Sequence, residues 1–423
     1  MEETMRSRFL IVLLVLWGCG PSDSGNEMTS TTVFEGVRLI IGNGSVIEDG
    51  VFVVEDESFA WVGSRSDAGD MLDGTRIDLD GATVMPTLIN AHFHLSNDRS
   101  ERISQLQHTL YYGTTAAISL GLDEGEVGLQ MRGEEMADVA RSQSAGRGIT
   151  SPEPGRTEVP YWITSEDEAR AAVLELAEQN VDFVKIWVDS RGGSYERLSP
   201  ELYGAVIDEA HKNDLRVTAH VYRLEDAKGL LRAGVDMFAH GIRDMDVDDE
   251  LIELWTDRPQ VVLVPNLPGS GVPSDLSWLD GTIVASELEE MLAGQELMEN
   301  FPSPVAQERF GIQARNLVRL HEAGVTISFG TDGSSPWAPH LELEDMVRAG
   351  MSAADVIVSA TANSAALLRM EDVGTVQVGK KADFIVLEAN PLDDITNTRL
   401  IKAVYMNGEV VDRQAIQSQL IGV

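Results

Sequence analysis

Thr83-Val84-Met85-Pro86-Thr87-Leu88-Ile89-Asn90-Ala91-His92-Phe93-His94 decides how this chain reads. The run is apolar enough to be a buried strand, and it ends on a His-x-His pair. Alternate residues of a strand face the same side, so both imidazoles can reach one cation. Alone, the pair is a weak signal, because His-x-His often occurs without metal. Its weight comes from Lys185, His220, His240 and Asp332, each at or near the end of another short apolar run. Ligand-type residues recurring at successive strand ends point to a metal centre at the mouth of a barrel.

The surrounding pattern predicts that barrel. Strand-like runs at 88–94, 114–120, 146–150, 181–188, 215–220, 236–240, 260–264 and 325–329 alternate with helical ones. The helical runs fall at 101–112, 125–140, 166–179, 200–213, 224–233, 248–255, 283–299, 304–323, 344–349 and 353–360. Eight such alternations predict an α/β fold, a (β/α)8 TIM barrel over 86–365. The flanks differ. Residues 33–85 and 366–423 are short β-rich runs with Asn-Gly turns at 43–44 and 407–408. Neither flank makes a comfortable core alone, so the two are expected to pair into a small β-sandwich domain. Specificity in such a barrel lies in the loops after the strands, here around 151–163, 191–197 and 266–280.

The chain has 423 residues and a net charge of 32 − 69 = −37. That excludes nucleic acid as a partner and broad docking on anionic lipid. The plain reading of the acidity is a strongly solvated surface; the sharper one is a preference for cationic substrates. Residues 1–18 read as a signal peptide. Arg6 and Arg8 precede nine apolar residues, Phe9 to Trp17, too few to span a bilayer. Met5 is an alternative start. Leu16-Trp17-Gly18-Cys19 resembles the lipobox of bacterial lipoproteins, and Cys19 is the chain's one cysteine. An unpaired thiol in an exported protein is explained by diacylation, the alternative being an ordinary signal peptide with an incidental cysteine. Residues 19–32 read as a tether. The chain is thus expected to be lipid-anchored, facing the periplasm from a Gram-negative outer membrane, or at a cell surface. Removing 1–18 takes away Glu2, Glu3, Arg6 and Arg8, so the charge stays at −37.

Each candidate residue has a plainer alternative. Lys185 lies in Asp182-Phe183-Val184-Lys185-Ile186-Trp187. A lysine inside an apolar strand is costly unless paired or neutralised, and carboxylation by CO2 would make it an anionic bridging ligand. The alternative is a snorkelling strand-end lysine. His220 and His240 end consecutive strands, so they neighbour each other; singly, each would read as a core histidine. Asp332 follows the last strand and points into the catalytic face, or else serves the turn before Gly333. Tyr222, two residues past His220, reaches the substrate or simply packs. His340 follows strand eight and can contact substrate. His108, His211 and His321 read as structural.

With these residues in place, the chain resembles the amidohydrolase superfamily over 33–411. The matching pieces are Pro86 with His92-Phe93-His94, Lys185, His220, His240 and Gly330-Thr331-Asp332. The closing Gly374…Gly379-Lys380-Lys381-Ala382-Asp383-Phe384-Ile385-Val386-Leu387 matches as well. It looks most like the prolidase-like and imidazolonepropionase-like binuclear branch. Thr87 stands where the family usually has Gly, and Asn90 where it often has Asp. The resemblance implies that His92, His94 and Asp332 hold one divalent cation and His220 and His240 a second. A carbamate on Lys185 and a hydroxide would bridge them. Zinc is the first expectation, with manganese or cobalt as rivals. It implies attack by that hydroxide on an amide or peptide bond, with Asp332 moving the proton and Tyr222 beside the substrate. The expected activity is that of a dipeptidase, Xaa-Pro dipeptidase or small-peptide carboxypeptidase acting on a small molecule or dipeptide. Ester, lactone or phosphotriester hydrolysis on the same site is the alternative, and a non-catalytic binding lipoprotein the third reading. A homo-oligomer stays open.

Overall fold

Strand alternation in the N-terminal segment produces a meander. In the computed structural model, which describes residues 31–69, 72–267 and 272–422, Thr31–Ile40, Val46–Glu55 and Ser58–Ser64 pair antiparallel in turn. Thr83–Pro86 runs parallel beside Thr31–Ile40. Phe384–Leu387 and Ile401–Met406 then extend the sheet from the C-terminal segment. The strands bearing Phe52 and Phe384 are three places apart in this sheet. Neighbouring strands lie ~4.8 Å apart, so a flat sheet would separate them by about 14 Å. Their ring centroids are 5.0 Å apart. The sheet therefore curls over a core of Phe34, Phe52, Phe59 and Phe384.

From Leu88 to Ile327 the strands pair in parallel. They are β1 (Leu88–Phe93), β2 (Thr114–Ser119), β3 (Arg141–Ser144), β4 (Val184–Val188), β5 (Val217–Val221), β6 (Met237–Phe238), β7 (Val262–Leu263) and β8 (Thr326–Ile327). β1 to β3 form one sheet; β4 to β8, in sequence order, belong to a second of seven strands, in which the short strands Ile149–Thr150 and Tyr161–Trp162 continue outward from β4. Backbone hydrogen bonds join the sheets at two seams: Asp182 N donates to Ser144 O at 3.0 Å, and Ala91 N to Phe329 O at 2.8 Å. Every residue of β1, β2, β4 and β5 is buried, as expected of strands covered on both faces. Strand ends accordingly supply the polar chemistry.

Three expectations shift. The third strand is Arg141–Ser144, not 146–150. Gly146, at φ 59°, breaks the extended run, and Ile149–Thr150 resumes beside β4. The helix expected at 125–140 contracts to Val127–Met131, because Gly125, Gly128 and Gly133 disfavour helix. The helix expected at 344–349 starts earlier, as Ala338–Ala349, with Pro339 in its first turn, where no amide hydrogen is needed. The signal peptide, Cys19 and most of the tether lie outside the described residues. Among the described residues no helix is long and apolar enough to cross a membrane.

Candidate metal centre

β1 carries His92, and the chain reaches His94 one residue beyond the strand. Their Nε2 atoms lie 3.1 and 3.0 Å from Asp332 Oδ1. Asp332 arrives on the loop after β8, pinned by backbone: the amides of Thr331 and Asp332 both donate to His92 O, at 3.0 and 2.9 Å. Gly330 permits this approach, since a Cβ there would sit 2.7 Å from His92 Cβ and His92 N. Asn90, where the family often has Asp, uses both ends of its amide. Its Nδ2 donates to Thr331 Oγ1 at 2.9 Å and its Oδ1 accepts from His92 N at 3.1 Å. His240, just past β6, brings Nε2 to 3.3 Å from Asp332 Oδ2. His220, on β5, stands against it with ring centroids 4.4 Å apart. Three imidazoles thus converge on one carboxylate, and a fourth adjoins them.

Lys185 lies inside β4, completely buried, and its Nζ makes no hydrogen bond. Gly121 gives it room: at φ 86°, a Cβ there would meet Lys185 Cγ at 2.7 Å. Burial lowers the lysine to about 7, with the Asp332 charge opposing. A neutral fraction, the form that can add CO2, therefore exists near neutral pH. Burial likewise lowers His92 to about 4 and His220 to about 3. Both keep a lone pair to donate at neutral pH. Burial alone would raise Asp332, but the neighbouring His240 and His92 hold it well below the ordinary carboxylate range.

Buried polar atoms without a hydrogen bond gather here: His92 Nε2, His94 Nδ1, Lys185 Nζ and His240 Nδ1. Each such atom costs about 1–3 kcal/mol if nothing satisfies it. His92 Nε2 is close to Asp332 Oδ1 without hydrogen-bonding it, so nitrogen and oxygen face common space. His92, His94 and Asp332 offer one donor atom each, all within 4.8 Å of one another. Nitrogen and carboxylate donors with no thiolate fit zinc, manganese or cobalt.

His340 is corrected. It belongs to the helix Ala338–Ala349, is buried, and has both ring nitrogens engaged, with Thr398 Oγ1 and Tyr112 O at 3.0 Å each. It ties the helix to its neighbours and has no free atom for substrate. Tyr222 is half-buried and lines a cleft of about 440 Å³ with Arg243, Pro304, Val305 and Ile312.

The sequence reading missed the groups around this mouth. Asp189 Oδ2 lies 3.1 Å from His220 Nε2, and Arg191 Nη1 3.3 Å from it. Arg191 Nε also donates to buried Glu153 Oε1 at 3.0 Å. Arg243 Nη2 donates to Val221 O at 3.2 Å, and its guanidinium lies 5.3 Å from the Tyr222 ring centroid. Arg191 Nη2 and Arg243 Nε are buried without a partner. Position just past β4 and β6 was the available signal, but in a highly charged chain such residues read as solvated surface.

Residues 83–411 match the Amidohydrolase family. The chain belongs to the amidohydrolase family. An imidazolonepropionase of Streptomyces griseus subsp. griseus is 26% identical over 426 residues, covering 91% of this amidohydrolase and all of that protein. A putative prolidase from Bifidobacterium longum superposes with a TM-score of 0.73 at 27% identity, over 93% of this chain and 99% of that one. A Xaa-Pro dipeptidase crystallised with bound methionine shares the fold, with a TM-score of 0.69 at 23% identity over 90% and 99%. The amidohydrolase is thus a hydrolase of mixed α/β content with a fold of TIM-barrel type.

Burial disfavours a charged base, so a lowered imidazole pKa means neutrality persists into acid. In metal-free protein the rings of His92, His220 and His340 should show no protonation midpoint between pH 7 and 5 in an NMR titration. A midpoint above pH 6 for any of the three would contradict the burial described.

Proposed function

We propose that this amidohydrolase cleaves carbon–nitrogen bonds of small substrates bearing a carboxylate, with dipeptides and the C-terminal bond of short peptides as the leading class. The observation that carries the reading is the convergence of His92, His94 and His240 on Asp332 beside the buried Lys185, whose Nζ has no hydrogen bond. In this reading an eight-stranded barrel spans 86–365, and the curled outer sheet is a small β-sandwich domain from 33–85 and 366–423. His92, His94 and Asp332 would hold one divalent cation and His220 and His240 a second, and a carbamate on Lys185 would supply a further oxygen ligand. When bound, the cations lower the pKa of a water and polarise the scissile carbonyl. Asp332, ionised at neutral pH, accepts the proton that the attacking water loses. It returns that proton to the departing nitrogen as the carbon–nitrogen bond breaks.

Arg191 and Arg243 support the carboxylate. Each keeps a buried guanidinium N–H without a partner at the mouth, and a carboxylate would satisfy them. The putative prolidase and the Xaa-Pro dipeptidase among the similar structures agree with the peptide reading. The imidazolonepropionase makes cyclic amides the rival within the same bond class.

We also propose export, with the chain tethered through diacylated Cys19, on the strength of the preceding apolar run and the lone cysteine. Cys19→Ser should move the protein from membrane to soluble fractions; unchanged membrane association would contradict the anchor.

Purified protein should hydrolyse dipeptides, and blocking their C-terminal carboxylate as an amide should cut kcat/KM at least about tenfold, the effect of ~1.4 kcal/mol. Turnover of lactones or phosphotriesters without any dipeptide turnover would overturn the amide reading. Lys185→Ala should abolish activity, with partial rescue by short carboxylic acids; full activity in that variant would remove the carbamate.

A further inference from the structure

His92 must do two things at once, present a lone pair from Nε2 and stay in one ring orientation. Its other nitrogen reveals how. Asn266, three residues beyond β7, brings Oδ1 to 3.0 Å from His92 Nδ1. An amide oxygen only accepts, so this contact keeps the ring proton on Nδ1 and leaves the lone pair on Nε2. Nδ1 of His94 and of His240 has no partner. Of the three imidazoles around Asp332, His92 is therefore the one steered by a side chain at that nitrogen. The amide's own Nδ2 is buried and unpartnered, so the residue's part in this site runs through its oxygen.

The position is built. Asn266 is buried and sits at φ 53°, a left-handed conformation that asparagine tolerates better than most residues. The next amide, Leu267 N, donates to Glu342 Oε2 at 2.6 Å. Glu342 is fully buried in the helix Ala338–Ala349. Burial raises its acid well above the ordinary range, and the bond from Leu267 N opposes that rise. The helix thus fixes the loop, and the loop fixes the amide against His92.

We propose that Asn266 is a positioning residue, which sets the tautomer and orientation of His92 and so the affinity of the His92–His94–Asp332 end for its cation. The inference rests on the metal reading above. An amide turned the other way would donate to Nδ1, force the proton onto Nε2 and block that atom as a ligand. Two variants separate the cases. Asn266→Gly removes the amide while tolerating the left-handed backbone. Asn266→Asp keeps an acceptor, removes the donor and also tolerates that backbone.

The test measures zinc affinity of the purified full chain by competition with a chromophoric chelator, alongside the melting temperature of each metal-free protein. Asn266→Gly should weaken the affected equivalent about 10–100-fold, as loss of a group orienting a ligating histidine does. Asn266→Asp should stay near wild type. The metal-free melting temperature of each variant reads the cost of the substitution itself, and the loss of zinc affinity should follow removal of the acceptor, in Asn266→Gly alone, rather than any fall in that temperature. Unchanged affinity in Asn266→Gly, or equal weakening in both variants, would overturn the inference and leave the metal reading standing. A wild-type chain that binds no zinc would bring down both.

Discussion

The rest of the site depends on one carboxylate being held in place by backbone. Asp332 meets His92, His94 and His240 only because the amides of Thr331 and Asp332 both donate to His92 O. That pair of bonds ties the loop after β8 to the strand that carries the histidines. It also needs Gly330, where any Cβ would strike His92, and Asn90, which bonds to both Thr331 and the His92 amide. The departure from the family's Asp at 90 therefore keeps the mechanical role without adding a charge. A buried extra carboxylate beside Asp332 would repel it.

Burial is the second constraint. Lys185, His92, His220 and His240 are all buried, which keeps the imidazoles neutral and brings the lysine into range of neutral pH. In water these groups would be protonated or solvated. At the ends of closed-packed parallel strands they are basic donors converging on a small volume. The molecule is strongly acidic overall, yet its mouth carries Arg191 and Arg243. Global charge governs solubility; the few side chains at the mouth govern what it can receive.

The ligand-type residues were legible in the sequence because strand ends recur. His92, His94, His220, His240 and Asp332 each close a readable apolar run, and Lys185 stands out inside one. Where punctuation is clean, as at the helix Leu224–Ala233 with Gly234 following it, the boundaries were legible too. Gly146 and the three glycines of 125–133 blurred β3 and the helix before it. His340 was misread because a histidine after a strand looks available until packing is known, and Thr398 and Tyr112 come from distant parts of the chain. Asn266, Arg191 and Arg243 were invisible for the same reason. Their roles depend on contacts such as Asn266 with His92, 174 residues apart, which no local pattern carries.

The central claim is that this cluster binds two cations bridged by Lys185. Anomalous X-ray diffraction at the zinc edge, from crystals grown with zinc and bicarbonate, tests it most directly. The account predicts two peaks about 3.5–4 Å apart, one against His92, His94 and Asp332 and one against His220 and His240, with carbamate density on Lys185. A single peak, or none, with Lys185 as a free amine would contradict it.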